Sequence, residues 1–397
     1  MVEYNREVMA NNKSGRENMI KYIGVNDHKI DLFEGQYIVP NGMAYNSYVV
    51  LDEKIAIMDS VDGRFGGMWL ENIDATLEGK APDYLVVHHV EPDHSGSIVA
   101  FMERYENAKI VTSQRGLGMI NAFYGKDYLQ RSVVVGDKDT LQLGKGELTF
   151  FSAPMVHWPE VMVSYLNTEK ALFSADAFGK FGALDIEDDW ACEARRYYFG
   201  IVGKYGAQVQ ALLKKLEGVE IEGIYPLHGP ALRENLGYYL DLYNTWSSYK
   251  PEKEGVLIAY TSVYGNTEKA VMILKDMLLD RGLYEVSTCD LAREDIHEAI
   301  EDAFKYDRLV LATTTYNGDI FPYMKEFINH LTERNYQNRI VALIENGSWA
   351  PLAKKKMASM LEDSKNLTIL DTGVTILSSI SKENLSQIKA LAKELCK

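Results

Sequence analysis

The pattern of apolar and polar positions predicts short strands and helices in the first half of the chain. In residues 45–60, two runs rich in β-forming residues flank three consecutive charged residues, Asp52 to Lys54, which predicts a hairpin. A stretch of mixed polarity near residues 66–79 predicts a helix. Further strands are predicted at YLVVHH, AKIVTS, ELTFFSAP and KALFSAD. This mixture of hairpins and helices is typical of an α/β sandwich.

The character of the sequence changes near residue 250. The polar stretch SSYKPEKEG separates a Tyr-rich helical segment, residues 237–249, from a new apolar strand, and we place a domain boundary there. Strands of the buried type follow at GVLIAYTS, DRLVLATTT, RIVALIEN and LTILDTGVTI, with helical periodicity between them. The alternation predicts a doubly wound parallel sheet, so the expected domains are residues 1–250 and 251–397.

Composition and charge narrow the possible functions. The chain has 397 residues and a net charge of −15, which argues against nucleic acid or an anionic bilayer as the main partner. Its three cysteines form no CxxC pair, and no apolar run is long enough to span a membrane. The N-terminus lacks the apolar core of a signal peptide, and its first dozen residues are expected to be frayed. These features favour a cytoplasmic protein.

Three loops at the carboxyl ends of second-half strands carry candidate ligand-binding residues. TSVYGNT (261–267) offers hydroxyls and glycine-freed backbone N–H groups at a helix start, as a phosphate site requires, but no lysine for a nucleotide triphosphatase. For any single loop a helix cap is the favoured explanation, whereas the three loops together favour a ligand site. The next two loops, TTTYNGDIFP and ENGSWAP, add aromatic residues that can sandwich a flat heterocycle. The candidates are Thr261, Ser262, Val263, Tyr264, Gly265, Asn266, Thr267, Thr313, Thr314, Thr315, Tyr316, Asn317, Gly318, Asn346, Gly347, Ser348 and Trp349.

These three loops resemble the phosphate loop and the two isoalloxazine-flanking loops of flavodoxin. The resemblance covers roughly residues 254–397 and implies FMN as the ligand.

A metal site is predicted in the loop HHVEPDHSG, which follows an apolar strand. Alternate residues of an extended segment share a face, so His89, Glu91 and Asp93 are expected to point together, and His94 to turn in after the bend. His88 is expected on the opposite face, packed or supporting the site. A single histidine here would more often be structural, but so many ligand-type side chains in one loop favour a metal.

Three further candidate ligands lie at the ends of other strands, namely His157, Asp176 and His228. The remaining histidines, His28, His297 and His330, are expected to be structural. Seven candidate ligands exceed one tetrahedral site and suit two metals that share a bridging carboxylate.

The first 250 residues resemble the metallo-β-lactamase fold, an αββα sandwich. The usual loop of that family is H-x-H-x-D-H, and here Glu91 replaces the second histidine. A carboxylate stabilises Fe(III) and a higher coordination number than zinc adopts, so redox chemistry is favoured over hydrolysis. Two alternatives stay open at this point: a dinuclear zinc hydrolase carrying a flavodoxin-like module, and an electron carrier whose first domain is only a scaffold.

The combination resembles the flavodiiron proteins over nearly the whole chain, with a five-stranded flavodoxin-like sheet in the second domain. The resemblance implies that His89, Glu91 and His157 bind the iron nearer the flavin, that Asp93, His94 and His228 bind the other, and that Asp176 bridges them. It further implies reduction of dioxygen to water, of nitric oxide to nitrous oxide, or of both, with electrons relayed through FMN.

The same resemblance implies additional residues and partners. Tyr197 and Tyr198 resemble a tyrosine pair lining the substrate pocket, although a packed helix face explains them equally well, and some members carry a histidine near the region of Glu34. Asp59 is a candidate acceptor for the second ring N–H of a ligand histidine. The implied assembly is a head-to-tail homodimer or a tetramer of such dimers, and the implied electron donor is rubredoxin or reduced F420.

Overall fold

The computed structural model describes residues 19–397, so the expectation of a frayed N-terminus lies outside the described residues. The chain divides into two compact units. The first comprises the described residues up to Tyr198 together with Ala207–Tyr243, and the second comprises Phe199–Gly206 and Asn244–Lys397. The domain limits 1–250 and 251–397 stay a prediction.

Two sheets form the first unit. One has the strand order β1-β6-β7-β8-β9-β10, and the other has the order β11-β12-β13-β14-β15. The strands, including two small hairpins, are β1 (Ile20–Tyr22), β2 (Val25–Asp27), β3 (Leu32–Phe33), β4 (Tyr37–Ile38), β5 (Met43–Tyr45), β6 (Tyr48–Val50), β7 (Ala56–Met58), β8 (Tyr84–Val86), β9 (Lys109–Thr112), β10 (Ser132–Val134), β11 (Thr140–Gln142), β12 (Glu147–Ser152), β13 (Met162–Leu166), β14 (Ala171–Phe173) and β15 (Gly223–Tyr225).

The inner faces of these two sheets share one apolar core. It includes Met58 and Val86 from the first sheet and Phe150 and Phe173 from the second, all at most 2% exposed. The α-helices that start in this part of the chain are α1 (Gly66–Leu77), α2 (Pro92–Ser95), α3 (Ile98–Arg104), α4 (Gln114–Tyr124), α5 (Trp190–Tyr197), α6 (Gly206–Lys215) and α7 (Leu236–Ser247). Shorter 3-10 or π turns cover Gly63–Phe65, Leu129–Arg131, Tyr198–Val202 and Gly203–Tyr205.

The predicted hairpin at residues 45–60 is confirmed, because β6 and β7 pair antiparallel with Val49 opposite Ile57. The sandwich class is likewise confirmed. The loops that follow β8, β12, β14 and β15 are the ones that carry the candidate ligands.

A parallel sheet forms the centre of the second unit, with strand order β17-β16-β18-β20-β21. The elements are β16 (Lys253–Tyr260), α8 (Asn266–Leu279), β17 (Val286–Asp290), α9 (Ile296–Lys305), β18 (Tyr306–Tyr316), β19 (Asp319–Ile320), α10 (Pro322–Glu333), β20 (Ile340–Asn346), α11 (Ala353–Met360), β21 (Thr368–Ile369), β22 (Val374–Ile376) and α12 (Lys382–Leu395). This is the order expected of a flavodoxin-like fold.

Three details differ from the simple alternation read in the sequence. The segment LTILDTGVTI forms two short strands, β21 and β22, which pair with successive parts of β20. The half-polar β17 was not predicted, and β19 folds back antiparallel on β18. Within residues 19–397, no helix combines the length and the apolar character that crossing a bilayer requires.

Candidate metal centre and flavin site

The metal-binding candidates of the loop after β8 divide between an extended part and a helical turn. Glu91 is the N-cap residue of α2, and Pro92 occupies its first turn, where a missing N–H costs nothing. Asp93 and His94 therefore lie on a helix. The expectation that His89, Glu91 and Asp93 share one face of an extended segment was wrong, because the extended backbone ends at Glu91.

One group of side chains brings together His89, Glu91, His157 and Asp176. Nε2 of His89 lies 3.0 Å from Oε2 of Glu91, and Nε2 of His157 lies 3.1 Å from the same oxygen. Oδ2 of Asp176 lies 3.0 Å from Nε2 of His157 and 3.5 Å from Nε2 of His89. Four possible ligand atoms thus surround one point.

A second group brings together Asp93, His94 and His228. Nε2 of His94 and Nε2 of His228 lie 2.9 Å apart, and Oδ2 of Asp93 lies 3.2 Å and 3.3 Å from them. Oδ1 of Asp176 completes this group at 3.4 Å from Nε2 of His94 and 3.8 Å from Nε2 of His228. All seven predicted ligands are therefore assembled in one place.

The two oxygens of Asp176 face different groups, Oδ2 toward the first and Oδ1 toward the second. Within the described residues, Oδ1 of Asp176 and both carboxylate oxygens of Asp93 are buried without a hydrogen-bond partner. Ligand atoms about 3 Å apart are what a small cation with bonds of about 2.1 Å requires. The donor set of four imidazoles and three carboxylates fits a pair of irons joined by a bridging carboxylate.

The buried histidines and carboxylates of this site shift the pKa values of one another. Burial alone would lower the pKa of His94, but the carboxylates of Asp93 and Asp176 raise it to about 10. Burial likewise opposes the shift at His157, whose pKa is raised to about 9 by its hydrogen bond with Asp176. Against the effect of burial, the facing His89 holds the pKa of Asp176 well below its usual range. Buried carboxylates this close together need positive charge, which protonated imidazoles or metal cations can supply.

Buried acceptors fix the outer ring nitrogens of two histidines. Nδ1 of His89 donates to Oε1 of Glu160 at 2.8 Å, and Nδ1 of His228 donates to the carbonyl of Ala44 at 2.7 Å. Each contact leaves Nε2 with its lone pair directed at the site. Glu160, which the structure buries, was missed in the sequence, although a carboxylate three residues after the candidate ligand His157 was a usable signal.

Asp59 does not play the predicted role of acceptor for a ligand histidine. Its carboxylate accepts hydrogen bonds from the backbone N–H and from Nδ1 of His88 instead. The prediction was wrong because the side chain of Asp59 lies on the same side of the sheet as His88, whereas strand alternation turns His89 the other way.

The two candidate tyrosines occupy different environments. Tyr197 is fully buried, its ring centroid lies 5.4 Å from that of His228, and within residues 19–397 its hydroxyl has no hydrogen-bond partner. Burial and then the negative charge of Asp176 raise the pKa of Tyr197 well above its ordinary value. The ring of Tyr198 instead packs edge-on against Tyr243, with centroids 5.2 Å apart. Tyr197 thus lies beside a candidate ligand, His228.

Glu34 was not predicted as a site residue, yet its carboxyl group is close enough to Glu91 to be affected by its charge. Burial of the carboxyl, and then repulsion by Glu91, raise the pKa of Glu34 to about 7. The three histidines expected to be structural lie elsewhere. His28 pairs with Asp185, and His297 and His330 contact each other on α9 and α10.

The second unit contains a cavity of about 530 Å³ between the three predicted loops. Tyr264 and Trp349 stand at it with 91% and 92% of their surface exposed, and Tyr316 is 45% exposed. Its lining residues are Ser262, Val263, Tyr264, Asn266, Thr267, Thr314, Thr315, Tyr316, Asn317, Gly318, Asn346, Gly347, Ser348, Trp349, Ala350, Leu352 and Ser378. Large exposed aromatic faces beside a cavity of this size suit a flat heterocyclic ligand.

Three of the predicted flavin-binding residues do not line this cavity. The hydroxyls of Thr261 and Thr313 hydrogen-bond to each other at 2.7 Å behind it, and Gly265 caps α8 with a φ of 82°. Conversely, Ala350, Leu352 and Ser378 line the cavity and were not predicted.

A phosphate fits the start of α8. Within the described residues, the buried hydroxyl oxygens of Thr267 and Thr314 have no hydrogen-bond partner. Thr267 lies in the first turn of α8, whose N–H groups point toward the cavity end of the helix. The residues present therefore fit FMN.

Two family models match the chain. The ODP family beta lactamase model matches residues 43–229, and the flavodoxin domain model matches residues 257–376. The two matches fall on the part of the chain that holds the metal candidates and on the part that holds the cavity, and between them they span most of the sequence.

Relatives match over almost their whole length. The rubredoxin-oxygen oxidoreductase of Megalodesulfovibrio gigas is 29% identical over 94% of this chain and 95% of its own. The nitric oxide reductase of Moorella thermoacetica is 28% identical over 95% of this chain and 96% of its own. The crystal structure of the flavodiiron protein from Giardia intestinalis superposes with a TM-score of 0.89 at 25% identity, covering 96% of this chain and 95% of that one. With a lactamase-like and a flavodoxin-like unit in this order, the chain is similar over almost its whole length to flavodiiron proteins.

Proposed function

We propose that this protein is an oxidoreductase that reduces dioxygen to water, nitric oxide to nitrous oxide, or both. The observation that supports this most directly is the position of Asp176, whose two oxygens face two separate groups of ligand-type side chains. In this proposal Asp176 bridges two irons. One iron is held by His89, Glu91 and His157, and the other by Asp93, His94 and His228.

The chain's own residues hold and shield the metals. A pair of irons, when bound, supplies two electrons nearly at the same time to a diatomic substrate. Glu160 and the carbonyl of Ala44 keep His89 and His228 in the ligating tautomer. The hydroxyl of Tyr197 has no acceptor within the described residues, so it is free to donate a hydrogen bond to an oxygen atom of the substrate. Tyr198 was predicted beside it, but its packing on Tyr243 makes it the weaker candidate.

The cavity of the second unit is the proposed FMN site. FMN, when bound, transfers electrons one or two at a time. Tyr264, Tyr316 and Trp349 flank its ring in this proposal, and the start of α8 with Thr267 holds its phosphate. Thr261, Gly265 and Thr313 support the loops rather than contact the ligand.

Several further assignments belong to the same proposal. The electrons come from a separate donor, either a rubredoxin-like protein or reduced F420. The protein works in the cytoplasm as a head-to-tail homodimer or as a tetramer of such dimers. Residues 1–250 form the diiron domain, and residues 251–397 form the FMN domain.

A dinuclear zinc hydrolase is not favoured. Glu91 places a carboxylate where the zinc-hydrolase pattern has an imidazole, and its Oε2 lies within 3.1 Å of two ligand nitrogens. A cavity suited to FMN also has no use in hydrolysis.

The test combines composition with kinetics. Purified protein is expected to contain two irons and one FMN per chain, measured by plasma mass spectrometry and absorbance. The fully reduced protein, mixed anaerobically with O₂ or with NO in a stopped-flow instrument, is expected to be reoxidised by at least one gas. Two zincs without flavin, or reduced protein inert to both gases, would contradict the proposal.

A further inference from the structure

His88 immediately precedes the candidate ligand His89, and its polar groups bind two other segments of the first unit. Its backbone N–H donates to Oδ1 of Asp59 at 2.7 Å, and its ring Nδ1 lies 2.5 Å from Oδ2 of the same residue. Its ring Nε2 lies 2.7 Å from Oγ of Ser164, and its carbonyl accepts from the N–H of Met162 at 3.1 Å.

The hydrogen-bond roles follow from the partners. A carboxylate can only accept, so Nδ1–H of His88 donates to Asp59, and in the neutral ring Nε2 then accepts from the hydroxyl of Ser164. The sequence Asp, His, Ser is that of a nucleophilic triad, but Asp59, His88 and Ser164 are each at most 1% exposed. No substrate can reach the hydroxyl, so a hydrolytic role is excluded.

These hydrogen bonds join the two sheets of the sandwich. His88 follows β8 and Asp59 follows β7, both in the first sheet, whereas Ser164 and Met162 belong to β13 of the second. The ring of His88 also stacks on Phe173, the last residue of β14, with centroids 6.2 Å apart.

The candidate ligands come from both sheets as well. His89, Glu91, Asp93 and His94 follow β8 of the first sheet, whereas Asp176 and His228 follow β14 and β15 of the second. The separation of the two sheets behind the site therefore sets the distances between ligand atoms.

The segment after β7 also holds the second group. The N–H and the hydroxyl of Ser60 both donate to the carbonyl of His94, at 3.0 and 2.7 Å. Asp59 and Ser60 thus fix the backbone on either side of the loop that carries His89 and His94.

We propose that His88 is a positioning residue for the metal pair, acting through its hydrogen bond to Ser164 across the two sheets. The inference rests on the proposed function only in that the seven side chains bind metal. In this inference His88 fixes the geometry of the metal ligands. It neither contacts the substrate nor transfers a proton.

Two substitutions separate the two ring hydrogen bonds of His88. His88→Gln places an amide where Nε2 lies and keeps the link to Ser164, whereas His88→Asn places one where Nδ1 lies and keeps only the link to Asp59. Ser164→Ala removes the same cross-sheet bond from the other end with the least change in volume. His297→Leu, which replaces a buried histidine of the second unit, is the matched control.

Four properties are measured on the full chain. They are iron retention against a chelator, the Mössbauer spectrum of ⁵⁷Fe-loaded protein, the FMN content and the melting temperature. We expect His88→Asn and Ser164→Ala to retain iron about tenfold less tightly with an altered spectrum, at unchanged FMN. His88→Gln is expected to stay near the wild type, and His297→Leu to lower only the melting temperature.

Wild-type iron affinity and spectrum in both His88→Asn and Ser164→Ala would overturn the inference, because His88 would then contribute only to stability. A wild-type protein that binds two irons but reduces neither gas would contradict the proposed function instead, and the comparison of iron affinities would still decide the role of His88.

Discussion

At the scale of single residues, Asp176 joins the two groups of candidate ligands. It is 1% exposed, and its two oxygens face nitrogens of different histidine pairs. In the proposed assignment Asp176 bridges the two metals, and Glu91 and Asp93 cannot take its place because each already belongs to one group. Loss of Asp176 therefore affects both metals.

We expect Asp176→Ala to bind iron at least about tenfold more weakly and to lose gas reduction, while FMN stays bound. Iron and flavin analysis of the same preparation measures both effects. Asp185→Ala is the control, because Asp185 lies on the surface, where it pairs with His28. An Asp176→Ala protein with a full complement of iron would show that the carboxylate does not bridge.

The environments of the two tyrosines lead to a second prediction. Tyr197→Phe removes the hydroxyl next to the site, and reoxidation of the reduced protein is expected to slow by about tenfold or more, with iron content unchanged. Tyr198→Phe is the matched comparison and is expected to have the smaller effect, since its ring packs on Tyr243. Stopped-flow rates measure both. An equal loss in the two variants would contradict the assignment of Tyr197.

At the scale of elements, the turn between β3 and β4 is unusual. Glu34 and Gly35 have φ values of 47° and 69°, and the N–H of Gln36 donates to the carbonyl of Phe33 at 3.1 Å, as in a type I′ turn. Asparagine is preferred where Glu34 stands. We expect Glu34→Asn to stabilise the fold by up to about 1 kcal/mol, measured by urea unfolding.

Gly35→Ala is the control for this turn. A side chain at a φ of 69° is strained, so this variant is expected to lose about 1 kcal/mol of stability. A less stable Glu34→Asn protein would mean that the contacts of the Glu34 side chain outweigh the strain of the turn.

The loop before α8 gives a prediction about the flavin. Thr267→Val removes a buried hydroxyl that lines the cavity, and FMN affinity is expected to fall about tenfold, in line with the loss of one hydrogen bond to a charged group. Thr261→Val is the control, since its hydroxyl bonds to Thr313 behind the cavity. Fluorescence titration of the apoprotein measures both. A greater loss of affinity in Thr261→Val would place the phosphate elsewhere.

The sequence predicted elements and ligands where a local rule was enough. Strand ends located all seven metal candidates, and apolar runs located about half of the strands among the described residues. The helical turn at Asp93 was missed because it depends on Pro92 following the extended part of the loop. The direction in which the side chains of Thr261 and Thr313 point depends on how β16 pairs with β18. The hydrogen-bond partner of His89 is Glu160, which lies 71 residues away in the sequence. Such non-local pairings leave no periodic signal.

At the scale of the whole molecule, each ligand site lies within one compact unit. We therefore expect removal of iron to increase hydrogen exchange in the loops after β8, β14 and β15, and not in residues 257–376. Removal of FMN is expected to affect residues 261–267, 313–318 and 346–350 instead. Mass spectrometry of the exchanged peptides measures both. Loss of protection across the entire chain on removal of either ligand would contradict this separation.

The origin of the ligands in two sheets has a consequence for biogenesis. The first ligand is residue 89 and the last is residue 228, and β15, which presents that last histidine, pairs with β14 late in the order of synthesis. A nascent chain that has not yet exposed residue 228 thus offers only part of the candidate ligand set. In the proposed function, the two irons are therefore bound together only after the two sheets of the first unit have come together.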